Sequence, residues 1–295
     1  MLRHRLRSGT LIGVAIGAAM LHLPPTGLFL LLLAIALAAQ WEMYELLERA
    51  GHAACRTTGM ALGAAWLAAV YLLAPIDADV MGPLARRWEG LLLGAGLCLL
   101  WVRVLFDPRV RQPVATAAAT VLGFACAPFL LAFYLRLAQW GCHEPGAFSP
   151  AGVFLAFYVS LTVKLSDVGA YVAGTTLGRH RLFPRVSPGK SWEGLVGGLA
   201  VAALASVAVV AAARAWPWVP GGPLAAWSLT RAAVAGVAFG LVGVLGDLTE
   251  SLVKRAAGVK DSSGFVPGMG GILDVVDSLL FAPLCLDLFL AWTAA

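Results

Sequence analysis

The sequence predicts an all-α polytopic membrane protein with about nine transmembrane helices and a cytoplasmic N-terminus. Three observations carry that reading. Hydrophobic residues make up 60% of the chain and charged residues 13%, at a mean hydropathy of +0.84; a soluble domain carries roughly 25% charged residues. The apolar runs are long and rich in Leu, Ala and Gly, without the two-residue alternation of a barrel strand, which selects helices. Lys and Arg fall mostly on one set of alternate connections, as expected of cytoplasmic loops.

The spans fall at roughly 9–23, 26–46, 59–75, 89–106, 114–138, 151–173, 194–213, 230–248 and 272–292, near the 17–25 residues a bilayer crossing requires. The first is short and is followed by Pro24-Pro25, which suits a tight hairpin into the second. It has no small-residue cleavage site leading into soluble sequence, so no cleavable signal peptide is expected. With the N-terminus inside, 15 of the 21 basic residues lie on cytoplasmic segments and five outside (Arg86, Arg87, Arg136, Arg214, Arg231), with Lys164 inside a span. This orientation puts two polar loops, 174–193 and 247–271, on the cytoplasmic face, and the active site with them. The turn "WPWVPGGP" (216–223) then lies outside, with Trp216 and Trp218 at headgroup level. The expected organisation is an N-terminal transmembrane region, 1–138, of about five helices, and a C-terminal catalytic region, 151–295, of about four. The five cysteines are scattered without a CxxC pair and read as packing residues. The net charge of +5 reflects insertion bias, and no nucleic-acid partner is expected.

Ionisable groups in a span are costly and usually face a wet, functional cavity. Three segments carry them. In "VKLSDVGAYVAG" (163–174), Lys164 and Asp167 share a helix face at i, i+3; they form either an internal ion pair or the wall of a polar cavity. "GRHRLFPRVSPGKSWEG" (178–194) is a basic loop entering a helix, with Ser187 or Ser191 as cap, Glu193 in the first turn and Lys190 beside a helix N-terminus suited to anions. Its "GKS" is not a phosphate-binding Walker loop. Arg185 stands where the required glycine would be, and no preceding strand is expected. The third segment, Gly246–Phe281, holds Asp247, Asp261, Asp274 and Asp277 among Lys254, Arg255 and Lys260, with a glycine turn "PGMGG". Asp274 and Asp277 are expected on one helix face, joined by Ser278. Carboxylates gathered this way need cations, and hard divalent ions favour oxygen ligands. Acids that hold a metal beside bases that hold phosphate form the pattern of phosphoryl or nucleotidyl transfer.

The run "SLVKR", four residues, "KD", five residues, "PGMGG" and "LDVVD" resembles the signature of the phosphatidate cytidylyltransferases, or CDP-diacylglycerol synthases: S-x-x-K-R-x4-K-D, P-G-H-G-G, D-R-x-D. "SDVGAYVAGTTLG" and "SPGKSWEG" resemble that family's D-x-x-A-Y-x-x-G and S-P-x-K-T-x-E-G segments. The likeness covers about the C-terminal half. It implies transfer of CMP from CTP to phosphatidate, giving CDP-diacylglycerol and pyrophosphate. It implies cation ligation by Asp247, Asp274 and Asp277, with Asp261 and Lys260 in the same catalytic pocket. It further implies substrate contacts from Lys190, Ser187, Lys254, Arg255, Asp167, Lys164 and Ser251. The implied cofactor is Mg²⁺, with K⁺ a candidate second cation. The implied partners are CTP, phosphatidate and the bilayer of a bacterial inner (cytoplasmic) membrane, and a homodimer is compatible with this reading.

Two positions depart from the family pattern: Met269 replaces the His of P-G-H-G-G, and Val275 the Arg of D-R-x-D. A thioether cannot shuttle a proton and does not favour Mg²⁺, so no proton-transfer role is assigned at 269. The alternatives are a CTP-dependent polyprenol- or phytol-type lipid kinase, a catalytically inactive homologue, and a secondary transporter. The last fits poorly, because its acids would lie near the midplane of repeated halves.

Overall fold

A computed structural model describes residues 15–20, 22–74, 87–216, 219–266 and 270–294. Met269, Trp218, Arg86 and the basic residues before position 15 lie outside the described residues. The helices are α1 (Pro25–Arg49), α2 (Arg56–Leu73), α3 (Trp88–Phe106), α4 (Pro113–Phe124), α5 (Leu130–Ala138), α6 (Pro150–Leu177), α7 (Trp192–Ala215), α8 (Leu229–Ala256), α9 (Ile272–Val276) and α10 (Ala282–Ala294). A π-turn, Ala125–Phe129, joins α4 to α5 and contains Pro128, whose missing N–H explains the break in the α-helical ladder. Among the described residues, six helices are long and apolar enough to cross a membrane: α1, α3, α4–α5, α6, α7 and α8. The fold is that of an all-α membrane protein.

Three of the nine expected spans look different. The run at 9–23 is described only from position 15. The run at 59–75 is α2, 18 residues long, whose polar opening, Arg56-Thr57-Thr58, shortens its apolar part. The run at 272–292 is broken into α9, a 3-10 turn at Asp277–Leu279 and the 13-residue α10. The Asp277 side chain takes the backbone N–H of Ser278 at 2.6 Å, a local bond that competes with helix continuation. Asp274 therefore lies in α9 and Asp277 opens the 3-10 turn, in place of the single long helix that the sequence suggests.

Two compact units account for the described residues. The first takes those through Phe148 together with those of Val253–Val275; the second takes Ser149–Leu252 and Val276–Ala295. In the first, Tyr44 of α1 is fully buried and donates to the Thr120 carbonyl at 2.9 Å. Gln40 donates to Tyr44 Oη and to the Gly59 carbonyl, each at 2.9 Å. Trp66 packs among Trp88, Phe124 and Phe129, edge-on to Phe124 and tilted against the other two.

In the second unit, α6 and α7 lie side by side along small residues. A Cβ at Gly198 would meet Ala170 and Ser166, and one at Gly194 would meet the Ala170 carbonyl, so glycine sets this close approach. Tyr158 and Ser206 share a 2.6 Å hydrogen bond, and Trp227 meets Phe289 edge-on.

The segment expected as a plain basic loop, 174–193, begins as the last turn of α6 and then forms a two-stranded antiparallel hairpin, β1 (Arg181–Phe183) and β2 (Ser187–Ser191). A strand does precede "GKS", contrary to expectation. It is one arm of a hairpin and not the strand that opens a phosphate loop, and Arg185 still occupies the glycine position. Two strands alone are marginal; Glu193 steadies these by accepting from the backbone N–H groups of Arg179 and His180 and by meeting His180 Nδ1 at 2.6 Å.

Candidate active site

The site grows from α8. Its sequence past Gly246, "DLTESLVKRA", contains no breaker and mostly strong helix formers, so the helix runs on to Ala256 into the segment expected as the 247–271 loop. It stops at Gly258, which takes φ +70°. Val259 N–H donates to the Lys254 carbonyl and Gly258 N–H to the Arg255 carbonyl, the paired bonds of a Schellman end. The spacing Asp247, Glu250, Ser251, Lys254 follows i, i+3, i+4, i+7, one helical face.

In the second unit, Asp247, Glu250 and Asp277 each offer a carboxylate oxygen, all within 4.8 Å of one another. Gly246 permits this, because a Cβ there would collide with the Asp277 carbonyl. Around the trio, Lys190 Nζ pairs with Asp247 Oδ2 at 2.9 Å, and Ser251 Oγ donates to Asp247 Oδ1 at 3.3 Å. Lys164 Nζ donates to Ser278 Oγ at 2.8 Å, and Ser278 in turn donates to Asp167 Oδ2 at 2.9 Å. Lys164 and Asp167 are 3.6 Å apart. Burial first, then the neighbouring Asp247 carboxylate, push the Asp277 carboxyl up to about 7. Clustered carboxylates with an oxygen-only donor set fit a hard divalent cation, and the raised Asp277 marks negative charge that such an ion would neutralise.

Asp274 has its own surroundings in the first unit. Lys254 Nζ is 2.6 Å from its Oδ1. Its Oδ2 accepts from Ser262 N–H at 2.8 Å and Gly271 N–H at 2.7 Å. Burial works against the charged form, but the Gly271 N–H, Lys254 and Ser262 together hold this carboxyl below its ordinary range. Asp261 and Lys260 are exposed in the loop after α8. Arg255 is exposed and donates to the Val259 carbonyl at 3.2 Å. Ser187 opens β2 opposite Phe183, and Ser191, not Ser187, caps α7 by accepting from Gly194 N–H.

Sequence reasoning missed two buried acids. Glu250, 1% exposed, was signalled only by its i+3 spacing from Asp247. Glu42, 5% exposed, was signalled only by a charge near the end of an apolar run.

A sequence model of the cytidylyltransferase family matches residues 4–292. The chain belongs to that family. Its relatives include the phosphatidate cytidylyltransferase of Haemophilus influenzae, 43% identical over 131 residues, which is 44% of this chain and 43% of that protein. That of Mycobacterium leprae is 33% identical over 66% of this chain and 61% of its own length. That of Synechocystis is 32% identical over 262 residues, 82% of this chain and 81% of that protein. The chain thus spans about half the length of the first two relatives and most of the third. Family membership agrees with the signature residues gathered on α8 and in the segment around α9.

Proposed function

We infer that the protein is a phosphatidate cytidylyltransferase acting in phospholipid biosynthesis. The observation that carries this is the Asp247–Glu250–Asp277 trio with Lys190 ion-paired to Asp247, of which Asp277 and Lys190 stand in segments that resemble the family's signature. In the reaction, a phosphate oxygen of phosphatidate attacks the α-phosphorus of CTP. The bond from that phosphorus to the bridging oxygen breaks, and pyrophosphate leaves with the bonding electrons. The lipid phosphate is already an anion, so the protein need not create a nucleophile. Its task is alignment and charge neutralisation.

Asp247, Glu250 and Asp277 would hold Mg²⁺, which supplies charge neutralisation at the phosphates when bound; K⁺ is a candidate second ion. Asp274, with Asp261 and Lys260 nearby in sequence, belongs to the same proposed catalytic set. Lys190 and Lys254, each paired with a carboxylate, are suited to exchange that partner for a phosphate oxygen. Lys164, Asp167, Ser187, Ser251 and Arg255 are proposed as substrate contacts.

We propose nine crossings with the N-terminus cytoplasmic. The catalytic work lies in 151–295 on the cytoplasmic face of a bacterial inner membrane, with a homodimer as the assembly to test. The basic-residue asymmetry supports this orientation.

Purified protein incubated with phosphatidate, labelled CTP and Mg²⁺ tests the function. CDP-diacylglycerol with pyrophosphate is the expected product pair. CDP with a phosphorylated lipid would replace this reading by a kinase.

A further inference from the structure

Glu42 sits in α1, more than two hundred residues before the catalytic signature, and is almost fully buried. Its two oxygens are saturated by one segment. Oε1 accepts from Ser263 Oγ at 2.7 Å and from Ile272 N–H at 3.0 Å. Oε2 accepts from Ser262 Oγ at 2.9 Å and from Leu273 N–H at 2.8 Å. Ser262–Ser263 and Ile272–Leu273 flank the glycine turn, whose described ends, Val266 and Gly270, exchange backbone hydrogen bonds at 2.7 and 3.1 Å. One carboxylate therefore grips both ends of the turn. A carboxylate suits this position because it offers four acceptor sites and no donor. The fit is close: a Cβ on Gly271 would run into Ser262 Oγ and the Glu42 carboxylate.

The grip continues to Asp274. Ser262 Oγ lies 2.9 Å from Glu42 Oε2 and 2.7 Å from Asp274 Oδ2, and its single proton can serve one of them at a time. The Ser262 and Gly271 N–H groups and Lys254 Nζ complete the surroundings of Asp274. Where Asp274 and Lys254 stand thus depends on where Glu42 holds 262–263 and 271–273.

We propose that Glu42 is a positioning residue for cytidylyl transfer: it tethers both ends of the glycine turn to α1 and so sets Asp274 against Lys254. The proposal rests on the functional reading above. Glu42→Gln keeps the shape but replaces one oxygen by an N–H₂ group that must face two donors. The expected result is a kcat lowered by about 10- to 100-fold, the range of a misplaced catalytic group, with a melting temperature near that of the parent.

A second readout separates positioning from mere support. In a double-mutant cycle, Glu42→Gln added to Asp274→Asn should slow the reaction no further than Asp274→Asn alone. Effects that multiply would overturn the proposal. Ser263→Ala, which removes one donor and no charge, serves if Glu42→Gln folds poorly; it should show a smaller loss with the same non-additivity. Amide exchange gives a test independent of turnover. The Ile272 and Leu273 amides should be slow in the parent and fast in Glu42→Gln, with α1 unaffected. Unchanged exchange would refute the tether, whereas a parent that makes no CDP-diacylglycerol but shows this exchange pattern would refute only the functional reading.

Discussion

Glu250→Gln is the most informative perturbation of the carboxylate trio, because it removes one charge from a buried residue with little change of shape. At 4.8 Å and an effective dielectric of about 20, each pair of carboxylates repels by roughly 3 kcal/mol. Glu250 takes part in two such pairs. Removing its charge should therefore relieve the cation-free protein while weakening the cation site. The two effects have opposite signs in two measurements. The melting temperature without Mg²⁺ should stay level or rise, and the increase that Mg²⁺ produces should shrink. Turnover at fixed Mg²⁺ should fall by about 10²–10³, equal to roughly 3–4 kcal/mol of barrier, and the Mg²⁺ needed for half-maximal rate should rise. Detergent-solubilised protein melted and assayed across a Mg²⁺ series gives all four quantities. A variant that melts lower without Mg²⁺ yet keeps the parent's Mg²⁺ response and rate would show that Glu250 is a structural acid, and the trio would not be the cation site.

Asp277→Asn and Asp274→Asn should each cut turnover by about 10²–10³ in a protein that still melts cooperatively; near-full activity in either removes that residue from the catalytic set. Since the Asp277 carboxyl is raised to about 7, protons compete with the cation below that pH. The Mg²⁺ concentration for half-maximal rate should climb as pH falls from 8 to 6, and a requirement flat over that window would contradict the assignment. Single cysteines at positions 186 and 220 test orientation. Label should reach 220 from outside and 186 only after permeabilisation, and the reverse pattern would invert the topology. Met269→His should change the rate by less than about tenfold, about 1.4 kcal/mol; an inactive parent that gains turnover with His at 269, alone or with Val275→Arg, would favour a decayed enzyme.

Local patterns made much of this molecule legible from sequence, and long-range pairings hid the rest. Asp247, Asp277 and Lys190 stand in spaced motifs, and the structure brings them together with Glu250. Glu42 escaped notice because its partners at 262–263 and 272–273 are separated from it by more than two hundred residues, a pairing no periodicity reveals. The hairpin at 181–191 read as a loop because its strands are short and basic, and its stability leans on Glu193, outside the strands. The continuation of α8 to Ala256 was readable in principle: Gly258 is the first breaker, and the charges at Asp247 and Glu250 drew the expected boundary too early. The break at Asp277 is a contest between a side chain and the backbone for one N–H, which an apolar-run criterion does not register.

The length of α8 has one more consequence. Its 28 residues make a rod of roughly 42 Å, against a hydrocarbon layer of about 30 Å. Counted from Leu229, Asp247 and Glu250 fall roughly 27 and 32 Å along that rod, near the length of such a layer, and on a helix instead of on a loop that could readjust. With the proposed topology, the depth of the carboxylates is expected to follow bilayer thickness, which turnover in vesicles of graded acyl-chain length would check. A thicker membrane draws them toward the acyl boundary, and a thinner one lifts them into the aqueous layer where a nucleotide arrives. Under the proposed function, the lipid composition to which the product contributes would then act back on the protein mechanically, through hydrophobic mismatch.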